Sequence, residues 1–461
     1  MSSRGLDSDA LVLFFPGPKT VTGEDVLELH VHGGPATVKA VLSAIRKCRS
    51  SGAIRYAEPG EFTRRAFLNG RLDLAQVESL GDTLAAETEH QRRAAVRGNS
   101  GILGKTYDGW REDLLLARGE IEALIDFSED QHFDESPTEL LTNVTRLVEG
   151  ILDSIRLHKL GSQRSELLRD GIRIAFLGPP NAGKSSLMNQ IVGREASIVS
   201  AEAGTTRDIV EANLDIRGYL CSFADTAGIR TKVLETFSHA DGTSAATIGA
   251  IEEEGIRRAR QKALDSDIII VLASVEAVRS GGHRINYDTE TLELAAGAQQ
   301  SLVVVNKTDV VTPESLRLLI QDFKASALAG IDGLHDKEPL TISCKAAVSP
   351  AAAALTDAGG IHNLTEKLAQ SFSDLTSLPD DMQHLLGVTE RQNQLLSECE
   401  RHLNDFMAEA RKTGPYDEPD VVLAAEHLRL AALRLASITG RGESGDVEEV
   451  LGVIFEKYSR P

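Results

Sequence analysis

The chain has 461 residues, room for about three domains at roughly 150 residues each. Its 49 Lys and Arg stand against 69 Asp and Glu, a net charge of −20. That excludes a protein that grips nucleic acid by bulk positive charge, while leaving a local basic patch or a partner's help open.

The N-terminus "MSSRGLDSDA" reads as neither a signal peptide nor an Arg-rich presequence. Strand-like "LVLFFPGP" follows at once, which predicts an upstream segment outside this chain. Residues 1–70 read as a small mixed α/β region. It has strands at Leu11–Phe15 and Val26–Val31, then a helix opening after Gly33-Gly34-Pro35. Residues 71–168 carry apolar positions at three-and-four spacing, as in "RLDLAQVESLGDTLAAETEHQRRAAVRG" and "LLLARGEIEALIDF", and predict helices. The acidic "SEDQHFDESP" predicts a solvated turn rather than a metal site at His132.

Residues 169–376 alternate short β-rich runs ("IRIAFL", "LCSFA", "DIIIVLAS", "SLVVV", "LTIS") with helical stretches. That pattern predicts a mostly parallel sheet covered by helices on both faces. Residues 231–250 and 276–297 break the rhythm and read as mobile surface insertions. Residues 377–461 turn helical again, so helices flanking the sheet region can pack as one helical domain split by it. The four cysteines, Cys48, Cys221, Cys344 and Cys399, match no zinc spacing and read as reduced thiols. No apolar run reaches the roughly 20 residues of a membrane span.

"GPPNAGKSS" matches G-x-x-x-x-G-K-S from Gly178 to Ser185, after a strand and before a helix. Backbone N–H groups of Asn181, Ala182, Gly183, Lys184, Ser185 and Ser186 are placed to surround phosphates at the positive end of a helix. Lys184 reaches the β- and γ-phosphates, and Ser185 supplies a hydroxyl to Mg²⁺. "ADTAGIR" adds a second phosphate corner, Asp225, Thr226, Ala227 and Gly228. Between them "AEAGTTRDI" occupies the place of a switch, with Gly204 near phosphate and Thr206 as a second Mg²⁺ hydroxyl. "NKTD" follows the next strand: Asp309 accepts from guanine N1 and N2, while Asn306 and Lys307 shape the base pocket. "SCK" (Ser343, Cys344, Lys345) completes that pocket. The order of these motifs predicts GTP over ATP. One residue raises a problem. In Ras-like GTPases a Gln after the Asp-x-x-Gly orients the attacking water, and here that position is Ile229.

The segments "TGEDVLELHVHGGP", "PGEFTRRAFLNGRLDLAQVE", "GPPNAGKSSLMN", "AGTTRDI", "DTAGIR" and "IEEEGIRRA" resemble the MnmE-type tRNA-modification GTPases, in the TrmE-Era-Der branch. They run in family order from about residue 13 to about 457. The resemblance implies an α/β P-loop GTPase domain (169–376) inserted into an all-α domain (71–168 and 377–461). A small, incomplete α/β domain that binds tetrahydrofolate and dimerises (1–70) precedes it. It implies a homodimer and an FAD-containing MnmG-type partner. The product is a carboxymethylaminomethyl-type group on carbon 5 of the tRNA wobble uridine, with methylenetetrahydrofolate as one-carbon donor. Inserted stretches resembling fungal members point to the mitochondrial matrix.

For the missing Gln, the resemblance implies K⁺ in place of an arginine finger, held by Asn181, Ser200, Glu202 and Thr205. Asp225 and Thr205 belong to that catalytic centre, and Glu252, the first Glu of "IEEEGI", orients the water. Without the resemblance, Glu252–Glu254 read as the solvated start of a helix. Glu28 and Arg71 match folate-contacting positions, the latter usually Lys. His30 and His32 form an H-x-H pair that reads as a loop or packing feature. The family's Cys-Ile-Gly-Lys tail is altered here to "IFEKYSRP", with Ser459 at the Cys position. Two other readings stand beside this one: a ribosome-assembly or signalling GTPase switch, and a GTPase that has lost the modification step.

Overall fold

The computed structural model describes residues 5–49, 52–126, 137–200, 213–223, 261, 264–278, 281–348, 357, 359–412 and 419–441. They fall into two compact units. The first comprises Met1–Ala85, Ala94–Gln163 and Asp380–Pro461, and the second Ala86–Arg93 and Arg164–Pro379.

In the first unit, β1 (Leu11–Phe15) pairs antiparallel with β2 (Val26–His30), with Leu11 opposite His30 and Phe15 opposite Val26. A helix at Pro35–Ile45 opens on Pro after Gly34, as proline's fixed φ and missing N–H favour. The core of this unit is helical. Leu103, Tyr107, Leu114 and Ile121 line one face of the helix Ile102–Asp126. Leu396, Leu403 and Phe406 do the same on Glu390–Ala410, and Leu428, Leu435 and Ile438 on Val421–Thr439. The ends of these helices are legible in their residues. Thr389 Oγ1 accepts from Gln392 N, Asp420 Oδ1 accepts from Leu423 N, and Gly440 takes the left-handed conformation after the last turn. The last two helices run antiparallel, since Arg391 at the start of one donates to the Ser437 and Ile438 carbonyls at the end of the other.

The second unit is built on an eight-stranded sheet. Its strands are β3 (Ile172–Leu177), β4 (Ala196–Ser200), β5 (Asn213–Ile216), β6 (Tyr219–Phe223), β7 (Ile268–Ala277), β8 (His283–Asn286), β9 (Gln300–Asn306) and β10 (Leu340–Thr341). The order is β10-β9-β7-β3-β6-β5-β4, with β8 on β7. Pairs from β10 through β6 are parallel, whereas β4–β5, β5–β6 and β7–β8 are antiparallel. The inner parallel strands β3, β7 and β9 are buried along most of their length, as strands covered on both faces must be.

The structure corrects one reading. Within 276–297, residues 281–297 are not a loose insertion: β8 forms a hairpin with β7, and a helix at Thr289–Ala296 follows, N-capped by Asp288. Ile285, Leu292 and Ala295 enter the same core as Val271 and Val303. Tyr287, Leu294 and Ala296 pack against the same core, but the hairpin's period of two gives way to a helix within a few residues, so neither period runs long enough to read in the sequence. "LTIS" pairs only over Leu340–Thr341. The expected turn at 128–137 lies almost wholly outside the described residues, and the 231–250 stretch entirely so. Among the described residues no helix is long and apolar enough to cross a membrane.

Candidate functional site

β3 and β9 run parallel to the central β7 and end on the same edge of the sheet, the edge where open α/β sheets bind ligands. β3 leads directly into the phosphate loop, and the helix Lys184–Arg194 leaves it. The loop's glycines are required by space. Gly178 has φ 135, and a Cβ there would run into the Leu272 carbonyl. Gly183 has φ 101, and a Cβ there would meet the Asn306 amide. Asn181 is one of three non-glycine residues with positive φ among the described residues, at φ 62. The Lys184 ammonium donates to the Gly178 carbonyl at 2.7 Å and the Pro179 carbonyl at 3.1 Å, so its charge lies over the loop. The helix Lys184–Arg194 begins here, so the positive end of its dipole faces the same place.

Asn306 ties three loops together. It is 3% exposed and ends β9. Its Nδ2 donates to the Ala182 carbonyl in the phosphate loop at 2.9 Å. Its Oδ1 accepts from Lys307 N at 2.7 Å and from Cys344 N at 3.3 Å. The phosphate loop, the "NKTD" turn and the "SCK" turn are thus joined through one amide. Ser343 Oγ donates to Asp309 Oδ1 at 2.6 Å, which fixes the carboxylate, and Thr308 Oγ1 donates to the Ile342 carbonyl. Asn181, Gly183, Asn306, Lys307, Asp309 and Lys345 line one cavity of about 490 Å³, a usual size for a small-molecule site. Burial pushes the Cys344 thiol up to about 11, so it is no nucleophile at neutral pH.

One member of this site escaped sequence reading. Glu276, near the end of β7, pairs with Lys307 Nζ at 3.3 Å and accepts from Ser274 Oγ at 3.1 Å. Burial pushes its carboxyl up, but the Lys307 and Ser274 bonds outweigh that and hold it below the usual range. A carboxylate just after the apolar run of β7 was the available signal. Asn306→Ala is expected to leave three backbone groups without their partner, at about 1–3 kcal/mol for each one left unsatisfied. Titration with a fluorescent GTP analogue should show affinity falling by about 10-fold or more. Parent-like affinity would mean the three loops hold without Asn306.

Ser200 ends β4. Glu202, Gly204, Thr205, Thr206, Asp225, Thr226, Ala227, Gly228, Ile229, Glu252 and Ser459 lie outside the described residues. In the other unit, Glu28 lies on β2 with its Oε2 3.0 Å from His30 Nε2, and Arg71 Nε donates to the Thr20 carbonyl at 2.8 Å. His32 pairs instead with Asp7, at 2.7 Å, so the two histidines of the H-x-H pair face different carboxylates. A cavity of about 400 Å³ nearby in sequence is lined by Thr22, Glu24, Arg55, Glu61, Phe62 and Arg65, and by neither Glu28 nor Arg71. There the Arg55 guanidinium, the Glu58 backbone N–H and Arg65 hold the Glu61 carboxyl down to about 2.

Known proteins match this chain throughout its length. Residues 2–71 match the model described as GTP-binding protein TrmE N-terminus, and residues 74–458 the MnmE helical domain. The tRNA modification GTPase MnmE of Parvibaculum lavamentivorans is 39% identical over 450 residues, covering 97% of this chain and 85% of that one. The mitochondrial 5-taurinomethyluridine-[tRNA] synthase subunit GTPB3 of Danio rerio is 35% identical over 467 residues, covering 99% and 82%. Among solved structures, the G domain of the T. maritima FeoB iron transporter matches at 17% identity over 45% of this chain and 99% of that one; its TM-score of 0.24 is too low to carry any argument. With relatives this similar over nearly the whole length, and family models meeting end to end, the chain belongs to the MnmE (TrmE) family of tRNA-modification GTPases.

Proposed function

We propose that this chain is the GTP-hydrolysing subunit of a complex that modifies carbon 5 of the tRNA wobble uridine, and that K⁺ accelerates its hydrolysis. The observation that carries the GTPase part is the Asn306 amide joining the phosphate loop to the two base-pocket turns around one cavity. Lys184 neutralises β- and γ-phosphate charge, loop N–H groups hold the phosphate oxygens, and Asp309 selects guanine. The Ser185 and Thr206 hydroxyls are hard oxygen donors suited to Mg²⁺, which offsets phosphate charge when bound. Asn181, turned into the cavity edge by its positive φ, brings an amide oxygen suited to K⁺, with Ser200, Glu202 and Thr205 as further oxygen donors. Glu252 takes the water-orienting role that Ile229 cannot fill.

The relatives' names support tRNA as the substrate, and the GTPB3 names support a mitochondrial location, in the matrix on our reading. The match of residues 2–71 supports this reading over a ribosome-assembly switch. We assign the four segments as proposed from the sequence: a folate-binding and dimerising region (1–70), a helical domain in two parts (71–168, 377–461), and a GTPase domain between them (169–376). Glu28 and Arg71 contact a tetrahydrofolate one-carbon donor, and an FAD-containing MnmG-type protein is the partner.

The test is GTP hydrolysis in KCl and in NaCl at equal ionic strength. The expected ratio is about 10-fold or more in favour of K⁺, a modest share of the roughly 10³–10⁵ that an arginine finger supplies. Asn181→Ala should erase the difference. Equal parent rates in the two salts would overturn the K⁺ assignment.

A further inference from the structure

Far along the chain from the nucleotide motifs, two helices of the first unit bring together side chains that neither the phosphate loop nor the proposed folate region uses. His402 and Asp405 are three apart on the helix Glu390–Ala410, so they share one face. His427 lies on its antiparallel neighbour, Val421–Thr439. The three offer ligand atoms that all lie within 4.8 Å of one another. A second observation points the same way. His402 is 7% exposed, and the Nδ1 atoms of both His402 and His427 are buried without a hydrogen-bond partner among the described residues. A buried polar atom left unpaired normally costs about 1–3 kcal/mol, and two on facing imidazoles call for an acceptor of their lone pairs or protons.

We propose that His402, Asp405 and His427 form a binding site for a late first-row divalent cation of the zinc type, held between these two helices. Two imidazoles and one carboxylate suit such a cation better than Mg²⁺ or Ca²⁺, which take oxygen ligands. Three protein ligands leave a fourth tetrahedral position for water. Bonds of about 2.0–2.1 Å set tetrahedral ligand atoms roughly 3.3 Å apart, so rotamer-scale shifts bring these three into range.

The other charges facing the site set its limits. Arg401 Nη2 lies 3.3 Å from His402 Nε2, and this exposed side chain has to swing outward when His402 takes its metal-bound tautomer. Arg434 approaches from the second helix, and Glu398 of the first pairs with it at 2.9 Å and offsets its charge.

The experiment uses the full chain, stripped with EDTA and free of nucleotide, in a Cys48→Ser background that removes the exposed thiol as a competing ligand. Zn²⁺ is titrated calorimetrically, and Co²⁺ is followed by its visible absorption. One equivalent of Zn²⁺ should bind with micromolar or tighter affinity, and Co²⁺ should give the intense bands of a four-coordinate site. His427→Ala should weaken binding by about 100-fold or more, beyond the roughly 10–100-fold typical of losing an outer partner, and Asp405→Asn by about 10-fold. His402 is deeply buried, so the test rests on the other two, each required to keep the parent's helical circular dichroism. If His427→Ala fails that requirement, Asp405→Asn alone decides. No one-equivalent binding by the parent, or binding unchanged in these variants, overturns the site.

Discussion

Lys184→Ala will abolish GTP turnover and weaken GTP binding by about 10- to 150-fold, the value of one charge-assisted hydrogen bond at about 1.5–3 kcal/mol. The loop around Lys184 is rigid: Gly178 and Gly183 have no room for a Cβ, Asn306 pins Ala182, and the ammonium sits over two loop carbonyls. A preorganised cation loses little on meeting phosphate, so removing it forfeits nearly its full electrostatic value. Equilibrium titration with a non-hydrolysable GTP analogue measures the binding loss, and phosphate release measures the turnover. Parent-like values in both would remove Lys184 from the site. A general unfolding is separable, because Lys184 is a helix-start residue with its apolar neighbours Leu187 and Ile191 left in the core.

Glu252→Ala should behave differently. A carboxylate that orients water acts after nucleotide has bound, so GTP affinity should stay close to the parent's. Single-turnover hydrolysis in K⁺ should fall by roughly 10²–10⁴, the scale of a positioned acid–base group. Glu253→Ala is the control: "IEEEGI" reads from its sequence as a helix start, where successive residues point about 100° apart, so it should change little. Parent-like hydrolysis by Glu252→Ala would leave only the solvated-helix reading of "IEEEGI" and reopen the question set by Ile229. The contrast between the lysine and glutamate variants, binding and turnover both reduced in the first and turnover alone in the second, separates the phosphate cradle from the catalytic step.

Some of this was legible in the residues alone. "IRIAFL" followed by "GPPNAGKSS" announces a strand, a tight loop and a helix because glycine spacing, an apolar run and a helix start are all local signals. The helices at Glu390–Ala410 and Val421–Thr439 announce themselves by their apolar period and their Thr389 and Asp420 caps. What was not legible is long-range. The sequence assigns Asn306 to a base pocket, but its bond to Ala182, 124 positions earlier, comes only from the parallel register of β3, β7 and β9. Glu276 reaches Lys307 for the same reason. The β8 hairpin and the helix after it pack on the core through Ile285, Leu292 and Ala295, split between a strand and a helix too short for either to show a period. His402 and His427 match no spacing motif, because two antiparallel helices, not one segment, bring them together.

The central claim, a GTPase whose hydrolysis serves wobble-uridine modification, is tested most directly in cells lacking the gene. These are rescued with this chain or with its Lys184→Ala variant, and tRNA nucleosides are measured by mass spectrometry. The account predicts that the parent restores the modified uridine and that Lys184→Ala, expressed at the same level, does not. Absence of the modified nucleoside with the parent chain, or equal restoration by both, would contradict it.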